Sequence, residues 1–127
     1  MNSPERPFRV LIVGFNRDLV NILRAFLERR GCSVVVALDG PTAVELATAQ
    51  RHDVVLLDLE LPRGAVKVAE QLLTLPEQPG QLIAVTEYAE GEDRARAANV
   101  GVSMFLRKPL DYEQLDSLLT SLRRLCA

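Results

Sequence analysis

The sequence predicts an α/β domain built on a doubly wound, five-stranded parallel sheet. Five short apolar runs, at 10–13, 34–38, 54–57, 82–85 and 102–106, punctuate the chain. Most are continuous rather than alternating and rich in Val, Ile and Leu, as strands are when helices cover both faces of a sheet. Segments of helical period lie between them, and strand and helix alternate five times, the pattern that right-handed crossovers wind into a parallel sheet.

Each helix has its own signals. In the first, Leu19, Ile22, Leu23, Phe26 and Leu27 are expected on one face, with Asn16 or Asp18 as N-cap and Gly31 as a left-handed stop. Pro41 opens the second at the position where proline is tolerated, with Val44, Leu46 and Ala47 to bury. The third runs from about 66 to 75 and stops before Pro76. The fourth, about 91–99, is rich in alanine and charge and should pack lightly. The last begins after Asp111 and buries Leu115, Leu118, Leu119 and Leu122.

At 127 residues the chain suits one domain with one core, expected over 8–125 behind a short tail at 1–7. The net charge of −2, with basic residues spread from end to end, argues against nucleic acid as a direct partner. No apolar run approaches the roughly 20 residues of a membrane span, and the start, MNSPERPFRV, has no apolar signal core. A cytoplasmic protein is expected, with Cys32 and Cys126 as reduced, inert thiols.

In open α/β sheets, ligands bind beyond the carboxyl ends of the strands. Those ends carry Gly14, Phe15 and Asn16, then 58–61, then Thr86 and Glu87, then Lys108 and Pro109. Taken singly, Asp58 reads as a solvated carboxylate, Thr86 as a β-branched strand residue, Lys108 as a surface lysine and Phe105 as plain core. Together, DVVLLDLELP around Asp58, LIAVTEYAEGEDR around Thr86 and MFLRKP around Phe105, Lys108 and Pro109 resemble the receiver domain of bacterial response regulators, over about 8–125. The resemblance implies a flavodoxin-like, CheY-like fold with strand order 2-1-3-4-5. It implies Asp58 as phosphoacceptor, Thr86 as the hydroxyl that follows the phosphoryl group and Lys108 as the site lysine. Phe105 and Pro109 take switch positions, and a cis Lys108–Pro109 bond aims the ammonium at the aspartate.

One departure dominates. Receivers follow their first strand with two acids that bind magnesium together with the aspartate; here Gly14 and Phe15 stand in those places. Magnesium requires oxygen ligands, usually including one or two carboxylates, and neutralises charge in phosphoryl transfer. Each missing charge at about 4 Å removes roughly 4 kcal/mol at an effective dielectric near 20. Even after solvent screening, metal binding should weaken by about two to three powers of ten. Phe15 is also expected to fill the space. The turn Pro62-Arg63-Gly64 is shorter than the family's, and Glu87 replaces a small residue where the phosphodonor approaches. Asn16, Glu60 and Glu87 are the candidate substitute ligands; otherwise no metal or other cofactor is expected, and Asp58 and Lys108 should pair directly.

Two functions compete. The first is a pseudo-receiver, a protein-interaction module of two-component (phosphorelay) signalling with impaired magnesium-dependent phosphorylation. The second is a phosphoacceptor taking phosphate on Asp58 from a histidine kinase through a non-standard metal site, which is at most acceptor and autophosphatase chemistry. A weaker third reading is a flavodoxin-like small-ligand binder. The partner is expected to be a histidine kinase or a downstream signalling protein. It would contact the face of the fourth helix, fifth strand and last helix, which is also the face for any homodimer. Ser103 and Met104 replace the acids that one family of such dimers uses, and an exposed Met104 would suit an adaptable apolar contact. The chain reads as a stand-alone regulator or a domain of a longer protein, and its Arg and Ala usage fits a GC-rich bacterium.

Other motifs are set aside. His52 reads as a surface loop residue. GFNRD lacks the spacing of a phosphate loop, and no Ser- and Thr-rich flavin loop follows the first strand. Glu90, Glu92, Asp93, Arg94 and Arg96 read as a solvated helix face, with a docking surface as the alternative.

Overall fold

The computed structural model describes residues 7–88 and 90–126; all of the expected N-terminal tail except Pro7, and the Cys126 side chain, lie outside the described residues. Five strands alternate with five helices: β1 (Phe8–Val13), α1 (Arg17–Arg29), β2 (Cys32–Ala37), α2 (Gly40–Ala49), β3 (Val54–Asp58), α3 (Ala65–Leu73), β4 (Gln81–Thr86), α4 (Glu92–Asn99), β5 (Met104–Arg107) and α5 (Tyr112–Cys126). All strand pairs are parallel, in the order β2-β1-β3-β4-β5.

Continuous burial follows from helices on both faces. Every residue of β3 is buried, and the sheet divides the core in two. Leu11, Val55, Leu57 and Ala84 face α2, α3 and α4, while Val10, Ile12, Leu56 and Ile83 face α1 and α5. Asn16 caps α1 by accepting the Leu19 N–H at 3.2 Å, Asp39 caps α2 through Thr42, and Gly31 takes a positive φ of 81° just past α1.

Four expectations need correction. The buried face of α1 is Val20, Leu23 and Leu27, and Ile22 lies 58 % exposed. In α2 the buried residues are Gly40, Ala43 and Ala47; Ala47 is buried as expected, but Val44 and Leu46 are only partly buried at the margin of the core. Met104 is half-buried against the core rather than free for contact. His52 is not a surface residue: it is 3 % exposed, and its Nδ1 has no hydrogen-bond partner among the described residues.

Burial therefore holds the His52 imidazole below its ordinary value of 6.5, and the nearby Arg9 adds to this; Asp53 and the Gln50 backbone oppose it. A base whose folded pKa is depressed leaves the unfolded chain holding more protons. Its contribution is present above pH 6.5 and is lost as pH falls through the folded value. Thermal unfolding midpoints of the native chain should fall below pH 6.5 more steeply than those of His52→Leu. Parallel slopes would contradict this.

Candidate functional site

Parallel register brings the strand ends into line. Val13 pairs with Leu57, Asp58 with Val85 and Thr86 with Arg107. Gly14, Asp58, Thr86 and Lys108 thus meet at the carboxyl edge of the sheet, each at or one residue past the end of its strand. The Lys108 N–H donates to the Thr86 carbonyl at 2.8 Å, and the Lys108–Pro109 bond is cis.

The Lys108 ammonium donates to Asp58 Oδ1 at 2.9 Å, so the expected direct pair forms. Side-chain exposure is 15 % for Lys108 and 7 % for Asp58, which shields the pair from most solvent screening. The same Oδ1 accepts the Glu60 N–H at 2.8 Å. Partial burial alone would lower the Lys108 pKa, but the adjacent Asp58 and Glu60 carboxylates outweigh it and raise it above the ordinary value.

Glu60 is the residue whose role the sequence did not disclose. Its Oε2 accepts the Thr86 hydroxyl at 2.9 Å, its Oε1 accepts the Glu87 N–H at 2.9 Å, and Oε1 lies 3.2 Å from the Lys108 ammonium. Thr86 in turn accepts the Tyr88 N–H at 3.0 Å. The Asp58, Glu60 and Thr86 side chains and the backbone N–H groups of Glu60, Glu87 and Tyr88 thus form one connected network around Lys108.

The remaining candidates fall outside it. Phe15 is 47 % exposed and is not among the residues lining the small cavity beside Asp58, so it does not fill that space as expected. Gly14 borders Asp58, and a Cβ built there would lie 3.9 Å from Asp58 Oδ2. The Glu87 side chain is exposed, and only its backbone N–H joins the network. Phe105 is half-buried on the core, with the Arg94 guanidinium 4.2 Å from its ring centre. Arg63 and Gly64, both at positive φ, turn the chain directly into α3. Arg96 pairs with Glu92 and Asp93 on exposed helix surface. A small cavity of about 20 Å³, which the sequence did not suggest, is lined by Gly14, Val20, Asp58, Lys108 and Leu110 among others.

As arranged here, these residues leave few side-chain oxygens for a magnesium ion. Asp58 Oδ1 and both Glu60 oxygens are engaged. The Asn16 carbonyl caps α1, and positions 14 and 15 offer no oxygen side chain. Among the described residues, no three His, Cys, Asp or Glu side chains are arranged to hold a metal. Asp53, buried and accepting the Arg9 N–H at 2.8 Å, stands at the opposite end of β3 from Asp58.

Residues 10–120 match the response regulator receiver domain family. Response regulator MprA of Mycolicibacterium vanbaalenii is 31 % identical over 119 residues, covering 93 % of this chain and 51 % of that protein. Transcriptional regulatory protein TctD of Salmonella typhimurium is 30 % identical over 121 residues, 91 % of this chain and 52 % of that protein. The chain spans about half the length of these two curated relatives. Among solved structures, the receiver domain of sensor histidine kinase PA1611 from Pseudomonas aeruginosa superposes with a TM-score of 0.81 at 27 % identity, covering 94 % of this chain and 97 % of that one; that structure has a magnesium ion coordinated in its active site cleft.

Proposed function

The chain belongs to the response regulator receiver domain family, and on that premise we propose that it is a pseudo-receiver: a protein-interaction module of two-component signalling in which magnesium-dependent phosphorylation of Asp58 is impaired. The observation that carries the reading is the surroundings of Asp58. Where the family presents two metal-binding acids, this chain presents Gly14 and an outward Phe15, and the aspartate is neutralised by Lys108 instead. Phosphoryl transfer places negative charge on oxygens that a cation must offset, and here the one cation in the network already serves two carboxylates.

On this reading residues 8–125 form the receiver domain. Its partner is a protein, a histidine kinase or a downstream signalling component, and nucleic acid and membrane are not direct partners. No helix among the described residues is long and apolar enough to cross a membrane, which agrees with a cytoplasmic location. The partner face is α4, β5 and α5, where Arg94 lies over Phe105 and Arg107 is exposed.

One observation favours the phosphoacceptor alternative. Both described bonds to the Asp58 carboxylate go to Oδ1, and Oδ2, on the side of Gly14, is geometrically available to a phosphodonor. Intact-mass measurement after incubation with acetyl phosphate and magnesium separates the readings. The pseudo-receiver keeps its mass, whereas stoichiometric gain of one phosphoryl group, abolished by Asp58→Asn, would establish the alternative.

A further inference from the structure

The donors at the ends of β4 and β5 are already engaged by an anion, and the anion is part of the chain. One hydroxyl (Thr86), one backbone N–H (Glu87) and one ammonium (Lys108) converge on the two oxygens of Glu60 at 2.9, 2.9 and 3.2 Å. A charged hydrogen-bond donor beside neutral ones, all aimed at one small volume, is the arrangement that binds an oxyanion. We infer that Glu60 is the resident anion of this site: its carboxylate takes the place that phosphoryl oxygens on Asp58 would occupy, and it holds Thr86 engaged without phosphorylation. The inference rests on the pseudo-receiver reading and supplies what stands in for the phosphate.

Local geometry explains why this residue can do it. The Glu60 N–H is pinned to Asp58 Oδ1 at 2.8 Å, so its side chain starts beside the aspartate, two residues on. A glutamate has the length to cross from there to Thr86 and Glu87, and an aspartate is one methylene too short. Engagement is passed on: the Thr86 oxygen that donates to Glu60 also accepts the Tyr88 N–H at 3.0 Å, tying the start of the β4–α4 connection to the Glu60 carboxylate. That carboxylate keeps 22 % of its side-chain exposure, so solvent or a partner protein can reach it from outside.

The test is an NMR comparison of the full chain with Glu60→Ala and Glu60→Asp, the dispersed core amides of β1 and β3 reporting that the fold survives. In the native chain the Glu87 amide should resonate downfield, as a carboxylate-bonded N–H does, and the Thr86 hydroxyl proton should be protected from exchange. Both signatures should be lost in Glu60→Ala and also in Glu60→Asp, which keeps the charge but not the reach. Native-like signatures in either variant would overturn the inference. A response of the native chain to magnesium and beryllofluoride would instead refute impaired phosphorylation, and the Glu60 signatures would be judged separately.

Discussion

Gly14→Asp/Phe15→Asp is expected to bind magnesium at least about 100-fold more tightly than the native chain, and to gain a saturable response to beryllofluoride. Two carboxylates at about 4 Å each contribute roughly 4 kcal/mol at an effective dielectric near 20 before screening. The space exists. A Cβ at position 14 meets Val20 Cγ2 at 3.4 Å and Asp58 Cβ at 3.7 Å, both ordinary contacts, and lies beside Asp58 Oδ2. Phe15 is half exposed, so replacing it removes little from the core. Glu60 should compete with the incoming anion, and adding Glu60→Ala to the double variant should tighten beryllofluoride binding by about tenfold or more. Calorimetric titration with magnesium measures the first effect; a double variant that binds no better than the native chain would show that the acid pair is not what the site lacks.

The second large effect concerns Lys108. Lys108→Met leaves the Asp58 and Glu60 carboxylates facing one another with no cation between them. Removing one partner of a fully buried pair costs about 3–5 kcal/mol, and the residual exposure here reduces that to about 2–4 kcal/mol. That is a large share of the roughly 5–15 kcal/mol stability of a domain. Asp58→Asn should cost less, about 1–2 kcal/mol, because Lys108 keeps Glu60 as partner and the Asn carbonyl still accepts the Glu60 N–H. Urea unfolding midpoints should therefore rank native, Asp58→Asn, then Lys108→Met; the reverse order of the two variants would contradict the network described. The pH dependence has a definite sign. Lys108 has a folded pKa raised above 10.5, so its contribution is complete below that value and fades as pH rises through the folded pKa. The alkaline limb of stability should be shallower in Lys108→Met.

The sheet was legible because its strands are continuous apolar runs, which no single-sided element needs. The meeting of Asp58, Thr86 and Lys108 was legible for a related reason: each ends or follows a strand, and parallel register aligns those ends. Side-chain direction was not legible. In α1 the true face is Val20, Leu23 and Leu27, and a face centred one position away, including Ile22, satisfies helical spacing nearly as well. His52 precedes its strand among polar residues and looks exposed, but its backbone carbonyl accepts the Gly80 N–H at 3.0 Å, drawing the β3 entrance under the loop before β4. Glu60 read as a spare metal ligand because its partners, Thr86 and Glu87, lie 26 and 27 residues away, where only the folded sheet brings them within reach.

Asp58 rests paired with Lys108, and on the reading proposed here it no longer holds magnesium. The most direct measurement is an amide NMR titration of the native chain with magnesium, followed by beryllofluoride, following Asp58, Thr86 and Phe105. None of the three should move at millimolar magnesium or after beryllofluoride is added. Concerted, saturating shifts at all three would show that a metal-assisted phosphoacceptor site persists and would contradict that reading.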